Sequence, residues 1–318
     1  MNILKKCPCC SSSQFEQRLS LDPVPLAGNF SASLSESLNQ NVSPITLVEC
    51  KSCHTHFCVE SVDPKELYSN YNYASSTIPA LVKHFSGFKD LLVSKYGNKR
   101  IIYAEAGSND NVLVNQLPNN WYKICIDPSD IALKAARENR PFNSTLLNRP
   151  LSTNLIKACN LEGELDVFSA SNCLAHFPEL ENAFQAIYLA LKDGGDFWIE
   201  VKDLESALAL NRFNDFYIEH LVSHTISSLK NCLRIIGFNY IEHQILPFHG
   251  GLIRACFRKN SPCQVFSNKS YVKEFANLQV AYNTRYDSEI VKNLLKSKHN
   301  IAYGASGEAN MFFNHYKN

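Results

Sequence analysis

The chain has 318 residues, 45% hydrophobic and 19% charged, with a formal net charge of +1. That balance is ordinary for an enzyme of two or three domains and offers no broad basic field, which argues against nucleic acid as the main partner. The longest apolar stretches are too short and too interrupted to span a bilayer, and no apolar secretory segment follows Met1, so no membrane partner is expected and the expected location is cytoplasmic.

Two CxxC pairs open the chain, Cys7 with Cys10 and Cys50 with Cys53. Each CxxC turn sets two thiolates on one side of an ion, and two turns complete a closed tetrahedral shell, the pattern of a structural zinc site. Zinc would staple a lobe over 1–70 that is poor in apolar residues for its size. Cys9, His54, His56 and Cys58 lie close enough to replace one ligand, and the run Cys7-Pro8-Cys9-Cys10 leaves the first turn ambiguous. The competing reading is unliganded or redox cysteines. Disulfides are not expected, because Cys125, Cys173 and Cys232 sit singly inside apolar runs.

From about 98 to 259 short β-rich runs alternate with helical periodicity, which predicts a mainly parallel sheet with crossover helices. Strands are predicted at 100–105, 122–126, 166–169 and 197–201, and helices at 129–138 and 179–191. The runs at 238–246 and 251–258 are separated by a short Pro-Phe-His-Gly connection and should pair antiparallel. A mostly parallel α/β sheet closed by an antiparallel hairpin is the arrangement of class I S-adenosylmethionine (SAM) methyltransferases, a Rossmann-like fold assigned here to 71–260. Gly107 ends the first strand where the backbone must approach a ligand, Glu105 lies at its carboxyl edge, and Asp127 ends the second strand 20 positions later, placed to accept both ribose hydroxyls of an adenosine. No GxGxxG occurs, which disfavours a dinucleotide; SAM has no phosphate and tolerates the turn Gly107-Ser108-Asn109-Asp110. Beyond 260 a helical stretch at 270–297, one strand at 300–304 and one short helix are predicted, an abbreviated α/β segment over 261–318.

The ordered series of CxxC, CxxC, Tyr71-x-Tyr73-x-Ser75, Glu105 to Asp110, Ile126-Asp127-Pro128-Ser129, Ser171 to His176, Phe216 to His220, His249-Gly250-Gly251 and Tyr303-Gly304-Ala305 resembles the zinc-containing sugar C-methyltransferases. The resemblance runs from Cys7 to about Asn310. It implies an N-terminal zinc lobe, a central SAM domain, a C-terminal Rossmann-like segment, and a nucleotide-linked 4-keto-deoxysugar as substrate. By the motif match, Glu105, Gly107, Ser108, Asn109, Asp110, Asp127, Pro128 and Asn172 bind the cofactor, while Tyr71, Asn172, His176, Tyr217, Glu219 and His220 form the catalytic set.

Methylating carbon requires a base to remove the proton beside the ketone and a group to steady the enolate. His220 suits the base, since imidazole titrates nearest neutral pH. Tyr217 supplies a hydroxyl for the developing oxyanion. Glu219 is adjacent to His220, yet neighbours on a regular element point apart, so a direct bond between them is not expected from the sequence. Tyr71 and Tyr73 read equally as aromatics covering the join between lobe and sheet. Cys173 reads as a small buried residue.

Four positions depart from the family pattern: Asn111 where glycine is usual, Ile218 where histidine is usual, Ser223 where an aromatic is common, and Glu308 where lysine follows the final glycine turn. These changes and the short terminus keep open a non-catalytic homologue that retains its SAM and zinc sites, and a methyltransferase for a different small acceptor. Sugar identity, methylated carbon, stereochemistry and oligomeric state are not encoded in any readable signal.

Overall fold

The short β-rich runs of 98–259 assemble into one sheet in a computed structural model of the chain, which describes residues 2–28, 33, 35, 36, 39–63, 74–97, 99–260, 269–297 and 307–316. In chain order the lobe carries β1 (Asn2–Ile3), β2 (Phe15–Val24), β3 (Ser43–Cys50), β4 (His56–Cys58) and β5 (Glu60–Ser61). The central region follows with α1 (Pro79–Tyr96), β6 (Ile102–Ala106), β7 (Tyr122–Ile126), α2 (Asp130–Glu138), β8 (Ser144–Leu147), α3 (Thr153–Ala158), β9 (Leu165–Ser171) and α4 (Leu180–Ala190). It continues through β10 (Leu191–Lys202), α5 (Leu204–Ala209), β11 (Val222–Ser223), α6 (Ile226–Ile236), β12 (Phe238–Leu246) and β13 (Leu252–Lys259). Helices α7 (Val272–Asn283), α8 (Glu289–Lys296) and α9 (Gly307–Asn314) close the described chain.

Seven strands form the main sheet in the order β12-β13-β10-β9-β6-β7-β8. Pairing is parallel from β10 through β9, β6 and β7 to β8, and antiparallel where β13 joins β10 and β12. Both faces are covered, as a parallel sheet requires, so its central strands carry nearly unbroken apolar runs. Period-two alternation sorts those residues. Tyr103, Val167 and Trp198 face α1, whose inward residues Leu81, Phe85, Phe88 and Leu92 fall at helical spacing, and Trp121 completes that layer. Ala104, Phe168, Phe197 and Ile199 face the opposite layer, which contains Phe184 and Ile187 of α4 and Leu229 and Cys232 of α6. Local signals begin and end the helices. Ser129 and Ser152 each accept a backbone N–H at the start of α2 and α3, Thr225 and Ser228 form a capping box for α6, and Gly237 ends α6 in the left-handed region.

The lobe is not closed upon its cysteines alone. Its four-stranded sheet runs β11-β4-β3-β2, and β11 comes from the central region. Leu19, Leu21, Ile45, Leu47 and Phe57 are buried in the same continuous core as α4 and α6. Helix α7 lies on β2, where Gln279 Oε1 accepts from the Ser20 amide at 2.9 Å and the Tyr282 hydroxyl donates to Asp22 at 2.9 Å. Phe275 of α7 stacks on His56 with centroids 5.0 Å apart. The Asn310 side-chain amide of α9 donates to the Ala27 carbonyl. The helical stretch predicted at 270–297 is two helices separated by a turn at Arg285–Asp287. The strand predicted at 300–304, and with it Tyr303 and Ala305, lies outside the described residues, as do Tyr71 and Tyr73. No helix among the described residues is long and apolar enough to cross a membrane.

Candidate active site

Strand β6 delivers the chain to the carboxyl edge of the sheet, and the turn that follows is built from residues that tolerate positive φ. Gly107 has φ +70°, Asn109 +49° and Asn111 +66°, so asparagine replaces glycine at 111 without leaving the left-handed region. Gly107 is also sterically required, because a Cβ there would sit 2.5 Å from Cys173 Cβ and 2.9 Å from its Sγ. Cys173 therefore acts by packing, and burial raises its thiol pKa further from reactivity.

The turn is fixed from two sides. The Asn109 amide donates to Asp127 Oδ2 and the Ser129 amide to Asp127 Oδ1, both at 2.8 Å, which orients this carboxylate at the end of β7. From the segment ahead of α1, the Ser75 amide donates to Asn109 Oδ1 at 3.0 Å and the Ser76 amide to Asp110 Oδ2 at 2.9 Å. Pro128 is exposed beside them. Across the sheet edge Asn172, with φ +56°, donates its amide to the Glu200 carbonyl at 2.9 Å. Cofactor residues predicted from three separate motifs thus meet at one edge.

Around this turn Glu105 Oε2, Ser108 Oγ, Asp110 Oδ1 and Asn111 Oδ1 are buried and lack hydrogen-bond partners among the described residues. Buried polar atoms are normally satisfied, so four around one turn fit a polar ligand with several donors and acceptors, as the amino-acid and ribose parts of SAM would be. Burial, reinforced by the charges of Glu200 and Asp127, pushes the Glu105 carboxyl well above the usual carboxylate range.

Beside the turn a cavity is lined by Asn172, Lys202, Asp215, Phe216, His220 and Ser223, among others. The Tyr217 hydroxyl and His220 Nε2 lie 2.9 Å apart, within hydrogen-bond distance. The His176 ring meets His220 edge-on at 4.8 Å, and His176 Nδ1 donates to the Glu219 backbone carbonyl at 2.5 Å, which orients that imidazole. Burial pushes His220 well below its ordinary pKa, helped by His176, Lys202 and His249, so the imidazole is a free base at neutral pH. Burial lowers His176 as well, against the pull of the Glu219 carbonyl.

The Glu219 carboxylate turns away from His220. Its Oε1 accepts from the Gly28 amide at 3.0 Å, and burial raises its pKa. Adjacent side chains diverge here as the backbone geometry requires. Ile218 is buried in the apolar core. Two charged residues without a motif, Lys202 and Asp215, complete the wall. Arg212 makes a two-pronged ion pair with Asp215 at 2.9 and 3.0 Å, and Lys202 reaches the same carboxylate at 2.7 Å. Lys202 ends β10, and the rule that ligands bind outside the carboxyl ends of parallel strands is the signal that marks it.

In the lobe, the Sγ atoms of Cys7, Cys10, Cys50 and Cys53 lie within 4.8 Å of one another, with Cys7 to Cys53 and Cys10 to Cys50 both 3.6 Å. Zn–S bonds of about 2.3 Å require sulfur separations of about 3.8 Å in a tetrahedron, so this donor set fits the ion. Cys9 is fully buried near Cys232, and His54 is bonded to Glu49 at 2.8 Å; neither belongs to the four-thiol group.

The strand order, the antiparallel β13 and the polar turn after β6 define a class I SAM methyltransferase fold. Residues 89–243 match the family model of a methyltransferase domain. The chain is 22% identical over 257 residues to C-methyltransferase NovU of Streptomyces niveus, covering 79% of this chain and 60% of that protein. It therefore spans about three-fifths of the length of the curated relative it matches. Among solved structures, the PH0226 protein of Pyrococcus horikoshii is similar with a TM-score of 0.50 and 16% identity, covering 62% of this chain and 100% of that one. The 1,6-didemethyltoxoflavin-N1-methyltransferase of Burkholderia thailandensis, solved with S-adenosylhomocysteine, gives a TM-score of 0.47 at 16% identity, covering 65% and 96%.

Proposed function

We propose that the protein is a SAM-dependent C-methyltransferase acting on a nucleotide-linked 4-keto-deoxysugar. The observation that supports this reading is His220, which lines a cavity with Asn172, lies 2.9 Å from the Tyr217 hydroxyl and is met edge-on by His176. The similarity to C-methyltransferase NovU supports transfer to carbon. When bound, SAM supplies an electrophilic methyl group on a sulfonium. Asp127 is the residue to hold the ribose, and Glu105, Ser108, Asn109, Asp110 and Asn172 the residues to line the donor.

His220 takes the proton from the carbon beside the ketone and holds it as imidazolium, while the Tyr217 hydroxyl is the donor for the developing enolate oxygen; a positioned base typically contributes about 10²–10⁴-fold. His176 fixes the edge of His220 and narrows its orientation. Glu219 supports the site through its backbone carbonyl to His176 and its carboxylate to Gly28. Tyr71 is assigned to the acceptor by the motif alone. Cys7, Cys10, Cys50 and Cys53 hold a structural zinc ion; four thiolates leave no open position for substrate.

The test is methyl transfer from SAM to a panel of nucleotide-linked 4-keto-6-deoxyhexoses, followed by mass spectrometry for wild type and His220→Ala. Product in wild type that is lost in the variant, with SAM affinity retained, is the expected result. Bound SAM without product from any member of the panel would overturn the reading.

A further inference from the structure

The two histidines that meet at 4.8 Å are held by different halves of the four-thiol group. His220 belongs to the half that carries Cys50 and Cys53. Cys50 ends β3, and the turn containing Cys53 is closed by the His54 amide on the Cys50 carbonyl and the Cys50 amide on the Thr55 carbonyl, both at 2.9 Å. That turn leads into β4, which pairs with β11 through Phe57 opposite Val222 and His56 opposite Ser223. The Cys58 amide extends the pairing to the Leu221 carbonyl at 2.8 Å, next to His220 itself. The chain segment that bears His220 is therefore a rung of the lobe sheet, not of the seven-stranded sheet.

His176 belongs to the half that carries Cys7 and Cys10. It ends the short turn Leu174–His176, and α4 starts shortly after it at Leu180. A helix start leaves backbone amides open, and Glu179 at the cap position makes no side-chain bond to them. The Glu181 amide donates instead to the Pro8 carbonyl at 2.7 Å, and Ser11 Oγ bonds the Glu181 carboxylate. Cys9, between them, is buried near Cys232 of α6. The link from His176 to α4 contains Pro178, whose ring fixes φ, so the seat of α4 on the cysteine turn limits where His176 can stand. The 3.6 Å sulfur contacts, Cys7 to Cys53 and Cys10 to Cys50, each join one half to the other. The β2–β3 ladder starts only at Phe15 and Cys50, so the 7–12 turn lies beyond its last rung. Thiols hydrogen-bond weakly, and a bound ion is what would make that junction firm.

We propose that the four-thiol group, loaded with its ion, is a clamp that sets His176 against His220, so that Cys7, Cys10, Cys50, Cys53, Pro8 and Glu181 are positioning residues for the base. The assignment rests on the proposed C-methyl transfer and deepens it: the metal lobe aligns the catalytic pair from outside the cavity, without touching substrate.

The experiment compares zinc-bound wild type, wild type chelated and kept below its unfolding midpoint, and Glu181→Pro. Elemental analysis gives zinc content, amide hydrogen exchange gives local opening, and NMR of histidine-labelled protein gives the ring-proton NOE between His176 and His220. The first turn of a helix tolerates proline, so Glu181→Pro removes the donor to Pro8 and the carboxylate bonded to Ser11 with all four thiols in place. Zinc-bound wild type should show the NOE. Chelation should abolish it and speed exchange of the Glu181 amide about tenfold, the scale of one net hydrogen bond, while amides of β6 and β7 stay protected. Glu181→Pro should retain zinc, lose the NOE, and methylate about 10–10²-fold more slowly, as a misplaced catalytic group does. An NOE that survives chelation, or that persists in zinc-bound Glu181→Pro, overturns the clamp. Loss of β6 and β7 protection together with the NOE on chelation also overturns it, since the ion would then support the whole fold and not the pair. Wild type that shows the NOE but methylates no member of the sugar panel overturns the proposed function and leaves the clamp standing.

Discussion

Gly107→Ala places the largest demand on the smallest change. A non-glycine residue at φ +70° costs about 1–2 kcal/mol through the approach of Cβ to the carbonyl oxygen. The new methyl would also lie 2.5 Å from Cys173 Cβ and 2.9 Å from its Sγ, and overpacking of that kind typically adds about 1–3 kcal/mol. The sum, about 2–5 kcal/mol, corresponds to a fall in the thermal midpoint of roughly 5–15 °C for a domain of this size. Because the Asn109 amide and the Asp127 carboxylate are tied to the same turn, SAM affinity should fall at least tenfold by calorimetry. Adding Cys173→Gly removes the methyl's steric partner and should return part of the lost stability, while the backbone cost remains, so the double variant stays below Cys173→Gly alone. Gly107→Ala with an unchanged midpoint and unchanged SAM affinity would refute the claim that this turn is shaped for close approach.

Glu200→Gln should be strongly destabilising, by about 3–5 kcal/mol in thermal or denaturant unfolding, because the fully buried carboxylate is bonded to Arg254 at 2.6 Å and to His84 at 3.0 Å, and Arg254 would be left buried without its counter-ion. Cys50→Ser, or treatment with a strong chelator, should release one bound zinc by elemental analysis and lower the thermal midpoint, because the lobe core is continuous with that of the central sheet. His315 is buried with its pKa lowered to about 4, chiefly by burial and then by Arg285. The unfolded chain therefore binds the extra proton first as pH falls from about 6.5 to 4, and wild type should lose about 1.4 kcal/mol per pH unit relative to His315→Gln in that window and nothing above it, as seen in thermal midpoints against pH. Gly250→Ala would bring a Cβ to 2.2 Å from Arg212 Nη1, so it should displace the guanidinium and reduce turnover while leaving SAM affinity unchanged, since the Gly107–Asn111 turn lies on another strand end.

The legible parts of this fold are those where one local rule governs. Apolar runs bounded by turn residues mark β7, β12 and β13 to within a residue, and the short connection between β12 and β13 predicts their antiparallel pairing. Strand β8, Ser144–Leu147, escapes because an edge strand of four residues carries neither alternation nor length. Helix α1 has its apolar residues at 81, 85, 88 and 92, but Gly87 and the lack of a side-chain N-cap weaken the signal. The pairing of β11 with β4 is a contact between residues some 165 positions apart and has no local trace.

At the candidate site, the turn after β6 was legible because its geometry is set by the strand end and by left-handed backbone at Gly107, Asn109 and Asn111. The divergence of Glu219 from His220 follows from backbone periodicity alone. The Lys202–Asp215–Arg212 cluster was not legible, because it depends on how the end of β10 meets the 212–215 turn and on the close approach at Gly250.

The central claim is transfer of the methyl group to carbon. It is tested most directly by incubating the protein with SAM carrying a ¹³C methyl group and a nucleotide-linked 4-keto-6-deoxyhexose, then reading the product by NMR. The account predicts a ¹³C methyl signal coupled to a sugar carbon, absent with His220→Ala. A methyl group found on oxygen or nitrogen, or no labelled product while SAM remains bound, would contradict it.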